Sequence, residues 1–431
     1  MKRIFLLFWL ILPALFAQSQ DLLTIEDAIS IALKNNYDIL IARNDADIAK
    51  LNNTLGNAGM LPSAGISASN NFAINNVNQK SSSGVETSAT NAHSNTLSAG
   101  AFVNWNLFDG GKMFIAKNRL KEIQVLGELQ YQERVAQTVF NVIAAYYDIT
   151  RQLQQLNSLT EVVNYNTERV KILSTSYESG LIAKNSLLQA KIDLNVYSAN
   201  VINQKSNIIA THRILNLLLC RDANTDFRVS DSIPTNYELN KEELIKTLFS
   251  KNISILSMQK EIDISKLGLK EYNSQFLPKL SFNGGYNFYE SNNSFGNLMT
   301  NRLTGPQLIG TFSIPLYQSG NARRQLNVAK LQLKSSEYNL ESSKIEINIQ
   351  LQNAITEYEN QLQLLTIEKE NAELTRENLE ITMERLRLGQ TTALEVRQAQ
   401  ESFVASQTRL INLKYNLKIA ETKLKQLIAG L

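Results

Sequence analysis

The chain has 431 residues, 43% of them hydrophobic and 19% charged, and a formal charge of +3. That near balance supplies no field strong enough to gather nucleic acid, so no nucleic-acid partner is expected. A single cysteine, Cys220, excludes an internal disulfide and a Cys-cluster zinc site, and neither His93 nor His212 starts an HExxH pattern, so a hydrolase or metalloenzyme is disfavoured from the outset.

Met1-Lys2-Arg3 is a short basic head, Ile4 to Phe16 is an apolar run broken by Pro13, and Ala17 precedes the polar Gln18-Ser19-Gln20-Asp21. This reads as a secretory signal peptide over 1–17, cut after Ala17. The run is shorter than the ~20 residues a spanning helix needs. No cysteine follows it that a lipid could modify, and no later segment offers an uninterrupted apolar run of spanning length.

A first helix is expected from Thr24 to about Gly56. Beyond Leu61-Pro62, Ala64, Ile66, Ala68, Phe72 and Ile74 alternate with small and polar residues. After a polar stretch read as a long loop, Asn75 to Asn95, the alternation returns at Leu97, Ala99, Ala101, Val103, Trp105 and Leu107, with Phe102 and Phe108 on the opposite face. Period two over roughly ten residues is the pattern of a membrane β-strand. Aromatics near the strand ends (Phe72, Trp105, Phe108, Phe288, Tyr289, Tyr317) suit an interfacial girdle.

Residues 112–219 contain no proline and only two glycines, Gly127 and Gly180. Proline costs ~3 kcal/mol inside a helix, so its absence leaves this stretch free to be very long helix. Lys112 to Glu178 is 67 residues, or about 100 Å of helix. Such a helix needs an apolar seam against neighbours. Gly180 stops it, because a left-handed glycine ends a helix at little cost. Ser186-Leu187-Leu188-Gln189 then reads as a capping box that starts the return helix.

After a linker at 221–236, the same plan repeats. Asp47-Ile48-Ala49-Lys50-Leu51 returns 216 positions later as Asp263-Ile264-Ser265-Lys266-Leu267, and Leu61-Pro62 as Leu277-Pro278. Further on the offset is 209: Leu107-Phe108-Asp109-Gly110-Gly111 matches Leu316-Tyr317-Gln318-Ser319-Gly320, and the Gly180 tip matches Gly389. The duplicated unit therefore runs over 18–220 and again over 237–431. The second copy predicts a helix from Asn240 to about Tyr272, strands around Leu280–Phe288 and Leu308–Leu316 with a loop Glu290 to Gly305 between them, and a second 67-residue arm, Asn321 to Arg387. Thr392-Ala393-Leu394-Glu395 is its capping box.

The seam of the second hairpin is legible at Phe403, Ser406, Leu410, Leu413, Leu417, Ala420, Leu424 and Leu427, and on the arm at Ile355, Tyr358, Leu362, Leu365, Ala372, Leu379, Met383 and Leu386. A mean step of about 3.5 residues implies left-handed coiled-coil packing. The helices thus spend their apolar faces on each other, which leaves the strands nothing to rest on but lipid. Four strands cannot close a barrel, since an edge would face lipid. Eight strands, from two chains, would leave an interior filled by side chains, whereas twelve, from three chains, leave room for a channel. Asp109-Gly110-Gly111-Lys112 echoes a phosphate loop but lacks both the leading glycine and the trailing Ser or Thr, and is rejected.

The signal peptide, two repeats, four strands and two glycine-tipped arms together resemble the TolC-type outer-membrane efflux family. The resemblance is carried by Thr24-Ile25-Glu26-Asp27-Ala28 with Ala32-Leu33-Lys34-Asn35-Asn36, by Leu61-Pro62 and Leu277-Pro278, by Leu107-Phe108-Asp109-Gly110-Gly111, and by the tips Tyr177-Glu178-Ser179-Gly180-Leu181 and Arg385-Leu386-Arg387-Leu388-Gly389. It implies a mainly α chain with a membrane β-barrel contribution: a homotrimer sharing one twelve-stranded barrel in outer-membrane lipid and a helical tunnel extending into the periplasm. It implies a channel of a tripartite efflux or type I secretion system, fed by an inner-membrane pump through a periplasmic adaptor, with neither enzymatic activity nor cofactor. It points to Gly180, Leu181 and Gly389 as adaptor-docking positions. It places a channel constriction at Glu395 and Gln398, where the second position lacks the acid the family pattern carries. Two other readings of the residues are a periplasmic adaptor and a coiled-coil structural protein without a channel. Adaptors carry one hairpin between two halves of a β-domain, against the two hairpins and two strand pairs here.

Overall fold

The computed structural model describes residues 22–296 and 298–430. The expected signal peptide and its cleavage site after Ala17 lie outside the described residues. The first half holds α1 (Ile25–Asn35), α2 (Tyr37–Asn52), β1 (Ser63–Lys80), β2 (Glu86–Asp109), α3 (Lys112–Glu178) and α4 (Lys184–Leu218). The second holds α5 (Lys241–Lys251), α6 (Ile253–Asn273), β3 (Lys279–Asn293), β4 (Thr300–Ser313), α7 (Asn321–Arg387) and α8 (Ala393–Leu427). Both long arms, α3 and α7, are single helices of 67 residues. No helix is long and apolar enough to cross a membrane among the described residues.

The chain divides into two compact units that cut across the sequence repeat. One holds the described part of Met1–Ile41 together with Arg134–Lys251 and Ile347–Leu431; the other holds Ala42–Glu133 and Asn252–Glu346. In the first unit, α1 buries Ala28 and Ala32 against Val142, Tyr146 and Ile149 of α3 and Leu215 of α4. A second cluster gathers Val162 and Leu173 of α3, Leu187 and Ala190 of α4, Leu379 and Met383 of α7, and Val396 and Phe403 of α8. Most of the expected seam is buried, Ile355, Tyr358, Leu365 and Leu424 among it, whereas Leu362 is exposed.

The helices expected to run unbroken from Thr24 and from Asn240 are each two helices. Asn36 breaks the first and Asn252 the second, both with extended backbone (ψ 124° and 118°). The Asn36 carboxamide oxygen accepts from the amides of Asp38 and Ile39 at 3.0 and 3.3 Å, and its nitrogen donates to the Leu218 carbonyl at 2.8 Å. Asn252 accepts from the Ile255 amide at 3.1 Å. Asparagine competes with the backbone for its own hydrogen bonds, so it caps a new helix where hydrophobic periodicity alone sees a continuous one.

The second unit carries one antiparallel sheet in the order β1-β2-β3-β4. Its strands are 18, 24, 15 and 14 residues long, well beyond the ten or so that apolar alternation marks. The stretches expected as long loops, Asn75–Asn95 and Glu290–Gly305, are mostly strand: Val77 pairs with Ala89, Lys80 with Glu86, and Asn292 with Thr300. Their residues are mostly polar, with scattered exceptions such as Val77 and Leu303, so they keep the ladder without showing a sustained amphipathic pattern. Phe108 is a further correction. A bulge between Asn106 and Phe108 brings Phe108 opposite Leu280, which moves it onto the apolar face.

Candidate functional site

Two features stand exposed: the tips of the helical hairpins, and the faces and edges of the sheet. At the first tip the Gly180 amide donates to the Tyr177 carbonyl at 2.9 Å and the Leu181 amide to Ser176 at 2.9 Å. At the second, Gly389 donates to Leu386 at 3.1 Å and Gln390 to Arg385 at 2.8 Å. This paired closure needs a left-handed residue, and Gly180 and Gly389 supply it with φ of 72° and 69°. Space around both glycines is open, so the need is for the backbone angle and not for room. The turns leave Leu181 78% exposed, with Leu388 and Leu394 comparably bare.

The two return helices start differently. In α8, Thr392 is the cap: its hydroxyl accepts from the Glu395 amide at 3.2 Å, as the capping box requires. In α4 the cap position is Ala183, which offers no side-chain bond, and the expected capping role of Ser186 is not realised. Ser186 stands where the second repeat has Glu395, one turn inside the helix, and its amide turns back to the Ala183 carbonyl at 3.2 Å.

Glu395 and Gln398 are both exposed on one face of α8. The Glu395 carboxylate accepts from the Thr391 hydroxyl and, at 3.4 Å, from Thr392, and Arg385 stands 4.0 Å away. The Thr391 bond chiefly, with Thr392 and Arg385 beside it, holds its pKa below the usual glutamate value of 4.5. A carboxylate so fixed carries its negative charge throughout the neutral range. The guanidinium of Arg385 and the Thr391 bond were not read from sequence; they depend on how the turn folds back.

Two buried polar junctions also escaped the sequence. Arg169 of α3 is 1% exposed. It reaches Asp193 of α4 at 3.1 Å and Gln400 of α8 at 3.2 Å, which ties both hairpins together. Glu368 of α7 accepts from Ser406 at 2.6 Å and from both ends of the Arg409 guanidinium at 3.0 and 3.1 Å. Burial alone would push the Glu368 carboxyl up, but the Arg409 and Ser406 bonds outweigh it and the pKa falls. Glu161 and Glu168 of α3 take Arg376 and Arg387 of α7. No spacing rule within one helix marks any of these, since each partner sits on another element.

One face of the sheet is apolar. Across the register Ile66, Ala101, Tyr286 and Pro306 form one row, and Ala64, Val103, Gly284 and Leu308 the next. These side chains are uncovered: Ile66 is 85% and Leu308 73% exposed. The other face carries Ser67, Ser69, Asn104, Asn283, Asn287, Gln307 and Thr311, with Phe102, Tyr289, Leu303 and Ile309 among them, so Tyr289 points away from the face that holds Phe288. Trp105 is anchored by its indole nitrogen, which donates to the Met60 carbonyl at 3.0 Å. Among the described residues the outermost strands, β1 and β4, each pair on one side only.

An exposed apolar face, a mostly polar face and two open edges are the parts of a barrel wall, and the same chain carries paired helical hairpins. The chain belongs to the outer membrane efflux protein family, whose pattern matches residues 28–219 and 244–430. It is therefore an outer-membrane transport protein. Among curated relatives it is similar to the outer membrane protein TolC of Escherichia coli, 18% identical over 355 residues, which cover 80% of this chain and 71% of TolC. Among solved structures it is similar to the CmeC outer membrane channel of Campylobacter jejuni (TM-score 0.77, 19% identity, 94% of this chain and 85% of that one). It is similar also to the open state of the MtrE outer membrane channel of Neisseria gonorrhoeae (TM-score 0.73, 14% identity, 94% and 89%).

Proposed function

We propose that three copies of this chain form one outer-membrane channel of a tripartite efflux or type I secretion system. The observation that carries this reading is the sheet: an exposed apolar face bounded by two unpaired edges. Unpaired strand edges are untenable in lipid, so β4 of one copy pairs with β1 of the next until the wall closes. Three copies give twelve strands, enough to leave a lumen. The Ser- and Asn-rich face then lines water and the aromatic face meets lipid. We take the halves 18–220 and 237–431 as products of one duplication, joined by the linker 221–236, with 1–17 removed on export.

The tips serve as the docking end. Gly180, Leu181 and Gly389 present short, bare turns that a periplasmic adaptor engages, and the adaptor in turn recruits an inner-membrane pump. Glu395 lines the constriction. Three copies bring three fixed carboxylates to one axis, with Gln398 adding a neutral ring in place of a second acidic one. The purified protein in a planar bilayer tests the reading directly: it should conduct, and multivalent cations added on the tip side should block it. Glu395→Gln should weaken that block about tenfold or more, as expected when three converging charges are removed from a confined site. Unchanged block in the variant would remove Glu395 from the constriction.

A further inference from the structure

The return helix of the first hairpin and the entry helix of the second carry complementary edges. On α7, Ile367, Leu374 and Ile381, followed by Leu388 just past its end, recur every seven residues and are 53 to 64% exposed. The intrachain seam of α7 lies on another face, where Leu365, Ala372 and Leu379 are buried. On α4, Leu188, Ile202 and Ile209 follow the same seven-residue lattice and are 49 to 69% exposed. Apolar side chains at heptad spacing belong to a helix–helix seam. Each of these two helices therefore has a second seam that the chain itself leaves open.

The charges beside the two open stripes are opposite. Three residues after Leu188 and Ile202 stand Lys191 and Lys205, and Lys184 lies on the same line one turn before Leu188. Three residues after Ile367, Leu374 and Ile381 stand Glu370, Glu377 and Glu384. All six are exposed, and among the described residues none pairs with another element; Glu384 bonds to Arg387 of its own helix at 2.8 Å. Glu373 and Glu380 extend the acidic line, so five glutamates follow one another at spacings of three and four. Lys369 and Arg376 flank Glu373 and Glu380, and Arg387 takes Glu384, which leaves Glu370 and Glu377 as the uncompensated members. Like charges at these spacings destabilise a lone helix. A partner of opposite charge removes that cost.

We propose that α4 of one copy packs on α7 of the next, with the lysine line of α4 set against the glutamate line of α7. This rests on the several-copy reading above and adds the chemistry that sets partner and register. The helix α4 runs away from its tip glycine and α7 runs toward its own, so with the tips level the pair is antiparallel. Residues at the same flanking heptad position then face each other: Lys184 meets Glu384 and Lys191 meets Glu377. Pairing α4 with α4, or α7 with α7, would set like charges together, so the lines select the head-to-tail contact that closes into a ring.

The test is a disulfide scan of the full protein in outer-membrane extracts, in a Cys220→Ser background. Lys191→Cys combined with Glu377→Cys should, on oxidation, give covalent bands of two and three copies and none larger, while either substitution alone should give none. Bands that stay at one copy while the detergent-extracted protein retains its three-copy mass would overturn the pairing and leave the channel reading standing. A one-copy mass for the unsubstituted protein would overturn both. Charge reversal gives a second readout: Lys191→Glu should lower the temperature at which the assembly dissociates, and adding Glu377→Lys should restore it. Losses that simply add in the double variant would contradict the pairing.

Discussion

Thr392 and Ala183 occupy equivalent places in the two repeats, yet only Thr392 caps its helix. An N-cap hydroxyl is worth about 1 kcal/mol. Thr392→Ala should speed amide exchange in the first turn of α8 by about fivefold, and Ala183→Ser should slow it in α4 by a similar factor, both read by hydrogen exchange. The same turn sets the behaviour of Glu395. Its pKa lies below the ordinary 4.5, so its charge is complete above that value and is lost only as pH falls through the lower, folded value. Cation block of the channel should accordingly be held across the neutral range and weaken as pH falls through the carboxylate range, which conductance across a pH series measures. The glycine tips and the Thr392 capping box were legible in sequence because both are local, satisfied within five or six residues. The Arg385 and Thr391 partners of Glu395 were not, because the turn alone decides which side chains fold back over the helix start.

At the scale of elements, the long arms were legible to the residue: proline-free stretches bounded by glycine leave a helix no reason to stop. Strand length was not. Apolar alternation reports only the part of a strand that meets an apolar medium, and residues 75–80 and 86–95 are mostly polar while still holding the β1–β2 ladder. The turn is confined to Ser81–Val85, closed by the Ser81 amide on the Val85 carbonyl at 2.9 Å. A short epitope inserted after Ser82 should therefore leave the outer-membrane level of the protein unchanged. The same insertion after Ala89 slips the register and turns side chains to the wrong face, so that level should fall. Immunoblots of membrane fractions distinguish the two. The Asn36 and Asn252 breaks were hidden for a related reason: an asparagine at a helix boundary looks like an ordinary polar position until its side chain is seen on the backbone. Inside the second hairpin, Arg409→Met would strand the buried Glu368 carboxylate, which costs about 2 kcal/mol and should lower the melting midpoint followed by circular dichroism.

At the scale of the whole molecule, one chain buries most of its expected helical seams and leaves other apolar lines and strand edges open. Among the described residues the sheet ends in two strands with one open edge each, and α4 and α7 carry exposed apolar lines flanked by opposite charges. Sequence reading reached the first of these by counting strands. It missed the second because an exposed heptad line and a buried one look alike until burial is known; Leu362 was placed in the buried seam and lies outside it. The account stands on closure by several copies. The mass of the protein extracted from outer membranes, read by light scattering with the detergent contribution removed, tests it most directly. The mass of three copies of a chain near 48 kDa is expected. A particle of one copy would contradict it.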